Sequence, residues 1–181
     1  FRLFNYVGFQ LGWAACIIGA ARDMPWLGML GVGLFLTLHL LLTPSRRREV
    51  VLAMTLAGIG TILESLHLAF GIFQADPSPL ASWLCPTWLT LLWVNFAPTL
   101  HGSLRWLMGR WGWAAVLGAL GGPVSYYAGE KLGAISFPPD AGTSLAILAL
   151  VWGMAMPALF WLAGWADRRW GTEGRQTSRE C

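Results

Sequence analysis

The chain has 181 residues, of which 56% are hydrophobic and only 12% charged, and its formal net charge is +3. Soluble domains carry roughly a quarter charged residues, so this composition describes a small membrane protein with almost no extramembrane domain. It excludes a nucleotide-binding domain, a zinc ribbon and a nucleic-acid module, and no nucleic acid is expected as a partner.

Spanning a bilayer takes about 20 apolar residues per helix, and the chain divides into six such runs. The first, residues 4–21, stops at Arg22-Asp23-Met24-Pro25, whose proline suits the first position of the next helix. No small-residue cleavage site follows it before Arg22, so a removed signal peptide is not expected. The second covers 26–43 and is broken by Pro44-Ser45-Arg46-Arg47-Arg48-Glu49, and the third covers 50–73 and ends in a loop with Pro77 and Pro79. The fourth is 83–104. A basic, aromatic connection then leads to the fifth, 113–133, and Phe137-Pro138-Pro139-Asp140 turns the chain into the sixth, 144–165. Residues 1–166 thus read as a single all-α transmembrane bundle, and 167–181 as a charged tail.

Six spans place both termini on one side of the membrane together with Arg2, Arg46, Arg47, Arg48, Arg105, Arg110, Arg168, Arg169, Arg175 and Arg179. The positive-inside rule makes that side the cytoplasm. The opposite loops carry Asp23, Asp76 and Asp140, with Arg22 and Lys131 as their basic residues. Most of the 12 tryptophans, including Trp26, Trp83, Trp88, Trp106, Trp111, Trp113, Trp165 and Trp170, fall near the two boundaries as interfacial anchors. Trp13, Trp93, Trp152 and Trp161 lie deeper, where they suit helix packing or a ligand wall. Cys16, Cys85 and Cys181 form no CxxC pair, and neither a disulfide nor a metal ribbon is read from them.

An ionisable side chain in hydrocarbon costs on the order of 2.5 to 3.5 kcal/mol on insertion scales, so each one needs a partner or a use. Glu64 lies ~21 Å from the cytoplasmic start of the third span at 1.5 Å per residue, with His67 one turn further on the same face. Ser125, Tyr126 and Glu130 of the fifth span match that depth, and Asn95 is near the middle of the fourth. These six residues are the expected lining of one outward-facing polar pocket. Glu64 is either a structural acid bonded to a neighbouring helix, or an acid used for proton handling or headgroup binding. His39 and His101 lie toward the cytoplasmic side.

Glu64-Ser65-Leu66-His67 has the Glu-x-x-His spacing of di-iron carboxylate bundles. Such a site needs two motifs, and the chain has only three histidines, so no metal and no cofactor is expected. Neither GxSxG nor HExxH occurs, and no catalytic residue is assigned. Arg46, Arg47, Arg48, Arg105 and Arg110 are a topology signal that also suits anionic lipid headgroups. Pro98, Pro123 and Pro157 bend the last three spans. Gly8/Gly12, Gly118/Gly122 and Gly129/Gly133 have the small-x-x-x-small spacing of close helix contacts. These prolines and glycines suit simple packing of a compact bundle; the alternative is that Gly121-Gly122-Pro123 opens the fifth span beside Ser125 and Tyr126 to admit a ligand.

The run Phe9-Gln10-Leu11-Gly12-Trp13 with Cys16, then Pro25-Trp26-Leu27-Gly28, and above all Gly118-Ala119-Leu120-Gly121-Gly122-Pro123-Val124-Ser125-Tyr126 with Gly129 and Gly133, resembles an uncharacterised family. Its members are small polytopic proteins of the bacterial inner membrane, a domain of unknown function, and the likeness covers nearly the whole chain. The family commonly has Asp-Ser where this chain has Glu64-Ser65. Members are often encoded near enzymes like cyclopropane-fatty-acid synthase and flavin amine oxidase. The resemblance therefore implies an inner-membrane protein that handles lipids or acyl chains, with membrane lipids as partners. Two other readings stand beside it: an accessory subunit of a larger membrane complex, its glycine faces and deep tryptophans serving as interfaces, and a small proton-coupled transporter titrating Glu64.

Overall fold

The computed structural model describes residues 1–78 and 80–170. Expectations that fall on 171–181, including Arg175, Arg179, Cys181 and the distal tail, lie outside the described residues. Six α-helices follow one another: α1 (Arg2–Ala21), α2 (Pro25–Leu42), α3 (Arg46–Ala69), α4 (Thr87–His101), α5 (Trp111–Lys131) and α6 (Ala141–Trp170), with a 3-10 turn at Arg105–Leu107. Among the described residues there is no strand, only an isolated antiparallel bridge between Gln74 and Ser136. Four helices, α1, α2, α3 and α6, are long and apolar enough to cross a membrane.

The helix ends follow from local chemistry. Pro25 starts α2, where its missing N–H costs nothing. Asp140 precedes α6 and accepts hydrogen bonds from the Thr143 backbone N–H, at 3.3 Å, and from the Thr143 hydroxyl. Those bonds, the hydroxyl's first, hold the Asp140 carboxyl below the usual carboxylate range. α3 ends at Ala69 rather than at the expected 73 because Gly71 turns left-handed, with φ of 66°, and the Ile72 N–H closes back on the His67 carbonyl at 2.9 Å. Gly133 ends α5 the same way, with Ala134 N–H on the Gly129 carbonyl at 2.9 Å.

α4 is shorter at both ends than the expected 83–104, and α6 is longer at both ends than the expected 144–165. α4 has 15 residues, about 22 Å of rise, against a hydrocarbon core of about 30 Å. Pro86 stands at its start and Gly102 at its end. α4 is the centre of the bundle, packed on α1, α2, α3 and α6, and Leu89, Trp93, Asn95 and Ala97 through His101 are buried.

The bundle has two apolar cores. One, toward the end that carries the arginines, joins Leu52, Leu56, Leu100, Leu107 and Phe160; the other, toward Glu64, joins Ile17, Val32, Phe73, Trp88 and Leu89. Outside them Leu11, Leu30, Leu34, Met54, Ile62 and Leu150 face outward, as a bilayer solvent allows. Trp26, Trp83, Trp106, Trp111, Trp113 and Trp165 are exposed. Trp88, expected at a boundary, is instead buried in the second core, and Trp161, expected to pack inside, is 60% exposed.

The helices pack mainly as the hairpins α1–α2, α3–α4 and α5–α6, with α4 joining the first two, whereas α1 and α5 do not pack closely on each other. Gly118 and Gly122 face α6, where a Cβ would overlap Trp152 and Met156. That glycine face is thus spent inside the protein and is no surface for a partner.

Candidate functional site

α3 turns Glu49, Leu52, Leu56, Gly60, Glu64 and His67 inward as a single stripe, with the three- and four-residue spacing of one helix face. Glu64 is 1% exposed and is held from three sides. The Trp93 indole N–H of α4 donates to Oε1 at 2.9 Å, and the Tyr126 hydroxyl of α5 donates to the same oxygen at 2.5 Å. His67 Nδ1 lies 3.3 Å from Oε2, and the Tyr126 and His67 rings meet edge to face at 6.3 Å. Trp152 of α6 stacks on Trp93 with ring centroids 5.0 Å apart. Its indole N–H has no hydrogen-bond partner among the described residues.

Two spaces adjoin this cluster. A chamber of about 80 Å³ has Glu64, Trp88, Trp93, Ser125 and Tyr126 among its walls. A larger cleft of about 430 Å³ lies between α1 and α5, with Gln10 on one side, Leu117, Gly118, Gly121 and Gly122 on the other, and Met156 in its wall. Phe9, Trp13, Phe96, Ser125 and Trp152 line both. The Trp13 indole N–H donates to Ser125 Oγ at 2.9 Å, a tie from α1 to α5 standing where the two spaces meet.

Of the six residues expected in one polar pocket, the structure brings Glu64, His67 and Tyr126 into contact and sets Ser125 in the wall of the same chamber. Asn95 and Glu130 lie elsewhere. Asn95 Nδ2 donates to the Phe9 carbonyl at 2.9 Å, so its side chain turns from α4 to α1. Glu130 pairs with Lys131 at 3.3 Å near the surface. Of the arginines, Arg46, Arg47, Arg105 and Arg110 are exposed, and Arg46 donates to the Leu40 carbonyl at 2.9 Å. Arg48 instead turns inward, to Glu49 at 2.7 Å and to Asp167.

Among the described residues, no group of three or more His, Cys, Asp and Glu could hold a metal ion. Residues 2–158 match a family described as "Protein of unknown function (DUF2878)". The chain belongs to the DUF2878 family. No curated protein and no solved structure matches it. The matched range contains both spaces and the whole Gly-Gly-Pro-Val-Ser-Tyr segment on which the resemblance rests.

This DUF2878 chain also has a second buried polar cluster, to which His39 and His101 belong. At the arginine end Glu49, 3% exposed, has His101 Nδ1 at 3.2 Å and His39 Nε2 at 3.4 Å from its carboxylate oxygens, so α2, α3 and α4 meet on one carboxylate. Asp167 brings in α6 through Arg48. The inward stripe of α3 was the signal, because Glu49 and Glu64 share it. Asn5, fully buried, donates to the Pro98 carbonyl at 3.2 Å and accepts the Ser103 N–H at 2.9 Å. A single polar residue in the first turn of a helix gives no such warning.

Proposed function

We infer that this DUF2878 protein is a six-span protein of the bacterial inner membrane, both termini cytoplasmic, that binds a hydrocarbon chain of a membrane lipid between α1 and α5. The observation that carries this is the cleft. Its volume, about 430 Å³, is within the usual range of ligand sites, roughly 300 to 1,000 Å³, and at Gly121 in its α5 wall a Cβ would meet nothing within 4 Å. An apolar gap at membrane depth forfeits dispersion contacts until something fills it, and the surrounding solvent there is acyl chain. In this reading the arginines mark the cytoplasmic face, and α4 crosses as a central helix shielded by its neighbours. The protein holds or presents acyl chains to other machinery rather than transforming them itself.

Gly121 offers the cleanest test, since a Cβ there meets nothing within 4 Å and the position lines the cleft. Gly121→Leu should fill the cleft while leaving the helix as stable or more so, because glycine costs about 1 kcal/mol inside a helix. Native mass spectrometry of protein gently extracted from its own membranes should show a lipid on the wild type and none on the variant. Equal lipid retention by both would refute the assignment. Reporter fusions at residues 45 and 110 reading as periplasmic would refute the topology.

A further inference from the structure

We propose that the chamber beyond the cleft receives the polar end of the bound lipid and selects a hydroxyl over an amine or an acid. The proposal rests on the cleft reading above and adds the chemistry of the ligand's head. Trp13 and Ser125 stand where the two spaces meet, so a chain lying in the cleft reaches Glu64 once the Trp13 indole swings away from Ser125 Oγ.

The polar atoms awaiting it are of two kinds. Glu64 Oε1 already accepts both Trp93 and Tyr126, whereas Oε2 has only His67 Nδ1 at 3.3 Å, which leaves it room for a donor. Trp152 supplies the opposite need. Its N–H has no hydrogen-bond acceptor among the described residues, and an indole can only donate. Among the described residues in its wall there is no Lys or Arg to meet a negative head.

A ligand hydroxyl answers both sides at once, donating to Glu64 and accepting from Trp152. An ammonium group donates to Glu64 and leaves Trp152 unpaired. A fatty acid carboxylate accepts from Trp152 but sets one carboxyl group against another. A buried polar group left without a partner is expensive, so sites built for a hydroxyl discriminate strongly against ligands lacking it.

Competition with equimolar hexadecanol, hexadecylamine and palmitate, read by native mass spectrometry of the intact protein, tests this. Wild-type protein should retain hexadecanol about tenfold or more over either competitor, the discrimination of one buried hydrogen bond. Glu64→Gln replaces an acceptor with an N–H donor and should shift retention toward palmitate. Trp152→Phe should erase the advantage of hexadecanol over hexadecylamine. Equal retention of all three overturns the head-group assignment and leaves the cleft standing, as does preference for palmitate or hexadecylamine. Retention of none overturns the cleft reading and this proposal with it. If a variant fails to fold, the wild-type competition decides alone.

Discussion

Trp93 reaches Glu64 across the α3–α4 interface because Gly60, one turn earlier on α3, has no side chain. The indole lies where a Cβ at Gly60 would be, and its N–H ends 2.9 Å from the carboxylate. Gly60→Ala should therefore force Trp93 off the acid. Overpacking of this kind costs about 1 to 3 kcal/mol, partly offset by the better helix propensity of alanine. Thermal unfolding in detergent should show a lowered midpoint; an unchanged or raised one would mean that α3 and α4 separate easily.

Glu49 is the hinge pin of the opposite end. Glu49→Leu leaves Arg48, His39 and His101 facing an apolar side chain, and removing one partner of a buried ionic group costs about 3 to 5 kcal/mol. Arg48 keeps Asp167, so the loss should fall toward the lower figure. Membrane level and unfolding midpoint should both drop. A variant as stable as the parent would show that the cluster is reached by water.

Asn5 ties the start of α1 to the end of α4. Asn5→Ala strands the Ser103 N–H and loses the bond to the Pro98 carbonyl, with an expected cost of about 1 to 3 kcal/mol. Hydrogen exchange should quicken at Ser103 before it quickens in α3. Uniform exchange would place the tie elsewhere.

Cys16 and Cys85 are 1% and 3% exposed. Burial pushes the Cys85 thiol up from its ordinary value, so little thiolate forms at neutral pH, and the Cys85 N–H is pinned to Ser65 Oγ at 2.9 Å. A Cys181→Ser protein should therefore resist maleimide at pH 7 and react in denaturant. Rapid labelling of folded protein would show that the segment before α4 opens.

The amino-acid sequence by itself determined the all-α class and the approximate place of each helix, because hydropathy, proline and glycine act within a few residues of where they stand. It also singled out Glu64 and its i, i+3 neighbour His67, since an acid in an apolar run is conspicuous and a helix puts that spacing on one face. Matching depth was enough to bring Tyr126 and Ser125 to the same level of the bundle. Depth says nothing of the direction a side chain takes around its helix axis. Only the tertiary structure decided that Asn95 turns to α1 and Glu130 to the surface, that Trp93 and Trp152 stack beside Glu64, and that His39 and His101 close on Glu49. The cleft is likewise a product of assembly. It exists because α1 and α5 are each claimed by other neighbours, and no pattern within either helix records the distance between them.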